Sequence, residues 1–211
     1  MKTMIVHPYL RATEVINWHE PHVKSRARVL AGDLESPLAI AKTCFEWVRD
    51  HIRHSVDYRM NPVTCSASDV LTYKTGYCFA KSHLLAALLR ANGIPSGFCY
   101  QRLSIDDQGS PYCLHGLNSI YLEEFGWYRV DARGNREGID TQFYPPAEHL
   151  AFSIHLAEER DFPAILPDPL PLVIDALHRD TTWDDLLLNL PDVSADHAHH
   201  YGLQKLGASC T

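Results

Sequence analysis

No apolar run in the 211-residue sequence approaches the roughly 20 residues that span a bilayer, so a membrane is not an expected partner. The N-terminal stretch Met1-Lys2-Thr3-Met4-Ile5-Val6-His7-Pro8 lacks an apolar core long enough for a signal peptide, which makes the cytoplasm the expected compartment. The six cysteines, at positions 44, 65, 78, 99, 113 and 210, include no Cys-x-x-Cys pair, so the zinc and thioredoxin spacings are missing. In a reducing compartment they are expected as free thiols. Basic side chains are the scarcer charge, 19 Lys and Arg against 26 Asp and Glu. The deficit is local: residues 1–136 hold 16 basic and 13 acidic side chains, a balance of +3, and residues 137–211 hold 3 and 13, a balance of −10. Phosphate binding needs clustered Lys and Arg, so nucleic acid is not an expected partner either.

What remains is the composition of an ordinary folded domain, 45% hydrophobic and 21% charged, large enough to bury its core without disulfides or metal. No internal repeat is present. Residues 1–35 read as a lead-in with one short helix over 21–31. Residues 36–136 carry the strong patterns. Residues 137–211 form an acidic extension broken by prolines, expected to pack on the same domain and to be loose from about 192. Ser36 and Pro37 are good helix-start residues, and Leu38, Ala41, Phe45, Val48 and Ile52 then recur at the spacing of one helix face, predicting a helix over 36–54. Residues 55–75 read as loop, with Ser66 or Ser68 starting a short helix. From Cys78 the chain is rich in Ala and Leu, strong helix formers, until Asn92-Gly93 stops it. Strands are predicted at 97–103, 112–122 and 127–131, and short helices at 146–152, 172–178 and 182–190. Helices followed by antiparallel strands indicate an α+β fold.

Three residues stand out in chain order. Cys78 opens its helix just after Gly76, where unpartnered backbone N–H groups favour an anion, the reactive form of a thiol, and could hold a carbonyl oxygen that becomes negative. His115 lies inside a predicted strand, where alternation places it on one face with Leu117, Ser119 and Tyr121. Asp131 closes the following strand at about the level of His115. Whether the two share a face depends on register, since a one-residue slip reverses it. If they meet, Asp131 can orient the imidazole while His115 activates the thiol. Taken singly, each has a plain reading: a small buried cysteine, a packed histidine, a turn aspartate.

At these residues the sequence resembles the bacterial transglutaminase-like family of the papain-like cysteine enzymes. The likeness is carried by Phe45-Glu46-Trp47-Val48-Arg49-Asp50-His51-Ile52, Ala67-Ser68-Asp69-Val70-Leu71, the stretch from Gly76-Tyr77-Cys78 to Arg90, Gly93-Ile94-Pro95, His115, and Trp127-Tyr128-Arg129-Val130-Asp131. It implies a Cys-bearing helix packed on an antiparallel sheet that carries His and Asp. It also implies Cys78 as nucleophile, His115 as base and then acid, Asp131 as orienter, a thioester intermediate, no cofactor, and a peptide or small amide as substrate. Hydrolysis is the main expectation. Transfer to an amine or carbon acceptor is the alternative, and a non-catalytic binding module on the same fold is the alternative of another class. The family pattern often has Asp before the Cys, a small residue and an aromatic after the His, and Pro or Thr after the Asp. Here these are Tyr77, Gly116-Leu117 and Ala132, so the walls of the site differ. Tyr73, Tyr77 and Trp127 are further candidates for the cleft lining or for a donor to the oxyanion. Arg133 and Arg136 could meet a substrate carboxylate, and Lys81 and His83 sit one turn into the Cys78 helix. Cys113 with His115 would need further ligands to bind a metal, and His197, His199 and His200 fall in the tail. The sequence is silent on oligomeric state.

Overall fold

The computed structural model describes residues 6–204, which leaves Cys210 outside. Seven α-helices are described: α1 (Pro21–Ala31), α2 (Pro37–His51), α3 (Ser55–Tyr58), α4 (Ala67–Tyr73), α5 (Cys78–Ala91), α6 (Pro171–Arg179) and α7 (Trp183–Leu188). The strands are β1 (Arg53–His54), β2 (Thr75–Gly76), β3 (Ser96–Ser104), β4 (Tyr112–Leu122), β5 (Gly126–Val130), β6 (Gln142–Tyr144), β7 (Ala147–His149) and β8 (Arg160–Asp161). No described helix is long and apolar enough to cross a membrane.

Helix α5 is the axis of the molecule. Every residue from Cys78 to Arg90 is buried, as expected of a helix covered on all sides. It packs against α1, α2 and α4 and against β3 and β4. The main sheet is antiparallel in the order β5-β4-β3-β8, so the fold is α+β with the Cys helix laid on the sheet. Helix α2 starts as its sequence predicts, with Ser36 Oγ accepting from the Ala39 N–H at 3.5 Å. It stops at His51, short of the expected 54, because the next residues leave as β1 and pair in parallel with β2.

Close approach of α5 to β4 depends on Gly116. A Cβ there would lie 2.7 Å from Phe79 Cδ1, and Phe79 is itself fully packed. Gly76 is also needed for room, not for a left-handed turn: a Cβ would meet Ala80 Cβ and Thr64 Oγ1, each at 3.1 Å. Replacing Gly116 by Ala overpacks this joint. Urea unfolding of Gly116→Ala is expected to show a loss of about 1–3 kcal/mol.

Two expectations for the extension need correction. Residues 146–152 are not a helix: Pro145-Pro146 form the turn of a β6–β7 hairpin. Burial of Phe143 and the Tyr128 hydroxyl, which donates to the Ala147 carbonyl at 3.0 Å and accepts from the Tyr144 N–H at 3.2 Å, hold that hairpin. Of the tail expected to be loose from about 192, Ala195–Tyr201 form a 3₁₀ helix, with Ala198 and Leu203 buried, and residues 205–211 lie outside the described residues. The charge asymmetry of the sequence is spent on docking. Arg11 pairs with Asp168, Arg102 with Asp192, and Arg129 with Asp161. Such pairs are worth about 0–1 kcal/mol each when exposed, so they fix position. The holding force is burial of Leu170, Val173, Ala176, Leu177 and Leu186.

Candidate active site

Cys78 is the first residue of α5. Tyr77 precedes it in extended conformation and offers no side-chain cap, so the first N–H groups of the helix are not taken up by the residue before it. Ser82, one turn on, donates to the Cys78 carbonyl at 2.9 Å and to the Gly116 carbonyl at 3.3 Å. Asn118 Nδ2 donates to the Ser82 carbonyl at 3.1 Å and the Gly97 carbonyl at 3.3 Å. The helix end is thereby tied to the strand that carries His115.

The register left open by the sequence is defined by the pairing of Asn118 with Val130. The next residue, Asp131, falls at the level of Leu117, which shares a face with His115. His115 and Asp131 are thus diagonal neighbours on one face, within reach of their side chains. His115 Nε2 donates to Asp131 Oδ2 at 2.7 Å, which leaves Nδ1 for another partner, and Cys78 lines the same cleft, near enough for its sulfur to bear on the ring electrostatically. Cys78 and His115, 8% and 5% exposed, line a cleft, and Asp131, 1% exposed, is buried behind the imidazole. Burial opposes the imidazolium, but Asp131 and the sulfur of Cys78 outweigh it and hold His115 far above the ordinary imidazole range, at about 10. Burial likewise opposes the carboxylate. The imidazolium, the Ala151 N–H at 3.1 Å and the Arg133 N–H at 3.0 Å keep Asp131 below its ordinary value. Phe152 packs edge-on to the His115 ring at 4.9 Å, and Gln101, paired with His115 across β3–β4, donates to the Phe152 carbonyl at 3.4 Å.

The cleft has a volume of about 600 Å³ and is lined by His54, Cys78, His115, Phe152, Leu187 and Leu190 among others. Tyr77 also lines it, but its hydroxyl is committed to the Trp183 carbonyl. Tyr73 and Trp127 are not brought to the cleft. Tyr73 is half exposed at the end of α4, and Trp127 packs against Tyr9 and Tyr121. Arg133 is buried and spent on Asp57, with contacts of 2.7 and 3.0 Å, and Arg136 Nε meets the same carboxylate at 3.5 Å. Lys81 is a strut: its buried ammonium donates to the carbonyls of Arg49 and Ile52 at the end of α2, and burial pushes it down to about 7. His83 bonds the Cys65 carbonyl at 2.8 Å and is kept neutral by burial, at about 4. Cys113 lines the cleft, but no three His, Cys, Asp or Glu side chains among the described residues are grouped to hold a metal ion.

His54 is the residue that sequence reasoning missed. The β1–β2 register sets it opposite Gly76, two residues before Cys78, and its ring lies 5.7 Å from that of Tyr77. Nδ1 is buried without a hydrogen-bond partner. It stays 3.8 Å from Asp57 Oδ2, because both oxygens of that carboxylate are engaged by Arg133. Burial first, then the charges of Arg133, Lys81, His115 and Arg136, hold His54 well below the ordinary range, so it is neutral.

A thiol at a helix start beside a sheet-borne imidazole–carboxylate pair defines the class of site. The chain belongs to the transglutaminase-like superfamily, whose family model matches residues 24–132, just over half of the chain. Its fold is similar to that of a candidate cysteine protease from Cytophaga hutchinsonii, with a TM-score of 0.51 and 21% identity over 62% of this chain and 43% of that one. The periplasmic domain of TgpA from Pseudomonas aeruginosa is matched at a TM-score of 0.43 and 20% identity, over 59% of this chain and 45% of that one. The chain therefore spans less than half the length of these structures. No curated protein matches it.

Proposed function

We propose that this chain is a cysteine enzyme acting by acyl transfer on a peptide or small amide, with Cys78, His115 and Asp131 as its catalytic residues. The observation that carries the reading is the 2.7 Å bond from His115 Nε2 to the buried Asp131, with the helix-opening Cys78 lining the same cleft as His115. Cys78 Sγ attacks the carbonyl carbon and the carbonyl oxygen takes the negative charge. The C–N bond then breaks as the imidazolium of His115 gives its proton to the leaving amine, forming a thioester. Water attacks the thioester and gives its proton to His115, and the acid leaves as Cys78 is regenerated. An amine in place of water would give transfer by the same steps. The oxyanion needs donors. The backbone at the start of α5 supplies one, and the Nε2–H of neutral His54 is the second.

The test is alkylation by iodoacetamide near pH 6, read by peptide mass spectrometry. Cys44, Cys65, Cys99 and Cys113 serve as internal references, since burial pushes each of them up to about 12. Cys78 is expected to label fastest, and His115→Ala to slow it by about tenfold or more, the scale of one activating imidazole. Labelling of Cys78 that ignores His115→Ala in folded protein would remove the reading.

A further inference from the structure

The acidic extension enters the site itself. After α6 the chain reaches the wall formed around Tyr77, where the Trp183 N–H donates to Asn61 Oδ1 at 2.7 Å and the Trp183 carbonyl accepts from the Tyr77 hydroxyl. It then crosses to the sheet. The Leu114 N–H donates to the Pro191 carbonyl at 2.7 Å, and Asp192 takes both ends of the buried Arg102 fork at 2.7 Å each. Between these two anchors, Leu187 and Leu190 face the cleft. Residues 183–192 therefore form a strap joining the two walls, with apolar side chains on its inner surface.

The position of the Pro191 contact matters. Strand β5 covers β4 only from Asn118 to Leu122, so the stretch of β4 carrying Leu114 and His115 has a free edge. An extended peptide could add there as another strand. The strap already holds the Leu114 N–H, the backbone donor next to His115. A polypeptide passing straight through the cleft would have to displace both the leucines and this bond.

We infer that the strap makes the site selective for the end of a chain or a small amide with an apolar side chain, with Leu187 and Leu190 as the stop, and that internal stretches of extended polypeptide are refused. This rests on the acyl-transfer reading of Cys78. The apolar lining includes Leu103, Ile139 and Phe152, which suits a leucine-sized group, and the exposed Ile105 also lines the cleft.

Epoxysuccinyl probes test this without a known substrate. A thiolate opens the epoxide: the C–S bond forms, the C–O bond breaks, and the released oxygen takes a proton from His115. A single-arm probe carries leucine amide on one carboxyl. A double-arm probe carries the same leucine amide and a tripeptide on the other carboxyl. In the whole chain, the single-arm probe is expected to label Cys78 roughly tenfold faster or more, the scale on which a closed apolar pocket discriminates by size. Two variants should bring the ratio toward one by different routes: Leu187→Ala with Leu190→Ala removes the stop, and Asp192→Ala loosens its anchor. Equal labelling by both probes in the unaltered chain, or a ratio that survives both variants, overturns the inference. So does a single-arm probe that labels no faster than an epoxysuccinate without leucine. Iodoacetamide labelling of Cys78, with and without His115→Ala, runs alongside. If it loses its dependence on His115, the catalytic reading fails; if it keeps it while the probe ratio fails, only the strap inference does.

Discussion

Asp131→Asn is expected to lower kcat by about 100- to 10,000-fold, the range over which a correctly held general acid–base operates. The argument is one of hydrogen-bond supply. Asp131 Oδ2 accepts from His115 Nε2 and from the Ala151 N–H, and Oδ1 accepts from the Arg133 N–H. All three partners donate. An asparagine has one accepting oxygen and must turn its NH₂ toward at least one N–H, so either the imidazole or the loop loses its partner. The charge is lost as well. With the carboxylate present, the His115 imidazolium persists toward pH 10, its raised value being about 10. Without it, burial acts unopposed by Asp131, the imidazolium is lost at lower pH, and the Cys78 labelling that it assists near pH 6 should slow. The pair also contributes to stability, with opposite signs in pH. His115 is raised in the fold, so its share is full below the ordinary 6.5 and is lost as pH rises through about 10. Asp131 is lowered, so its share is present above the ordinary 3.8 and is lost as pH falls below it. Urea midpoints of Asp131→Asn should therefore fall furthest below those of the unaltered chain around neutral pH, and least in strong acid. A variant that keeps its turnover within about threefold, with an unmoved labelling profile, would take Asp131 out of the mechanism.

Much of this site was legible because its parts sit on regular elements with strong local signals. A run of Ala and Leu after Gly76-Tyr77-Cys78 marks a helix start, and alternation through residues 112–122 marks the strand of His115. The face shared by His115 and Asp131 was not legible. It depends on how the turn over Glu123, Glu124 and Phe125 closes, and that is set by Gly126 at φ +75° pairing with Leu122. Local propensity also fails where distant segments pair. Arg53 and His54 continue the helical spacing of α2, and only their pairing with Thr75 and Gly76, more than twenty residues away, pulls them out of it. Pro145-Pro146 resembles a helix start until Phe143 is seen to be buried beneath the hairpin. Leu187 and Leu190 read as ordinary helix leucines, since nothing local says that their helix ends against β4.

The same hidden pairing makes His54 the second decisive residue. Its candidates by type, Tyr73, Tyr77 and Trp127, have no free donor at Cys78, while His54 lines the cleft with a buried, unpartnered Nδ1. A neutral imidazole carries one N–H. Nδ1 lies beyond hydrogen-bonding distance of Asp57, at 3.8 Å, and in the proposed mechanism that proton is on Nε2, where a developing oxyanion could accept it. Losing one such donor costs about 100- to 1,000-fold in kcat, so His54→Phe should fall in that range with KM little changed. His54→Gln, which keeps an N–H of similar reach, should recover part of the loss. A merely structural role predicts otherwise, and alkylation separates the two. Displacement of iodide by the Cys78 thiolate creates no oxyanion, so iodoacetamide should label His54→Phe at nearly the unaltered rate while turnover collapses. If labelling and turnover fall together, His54 supports the position of Cys78 through Tyr77 and the β1–β2 pair, and the second donor must be sought in the backbone.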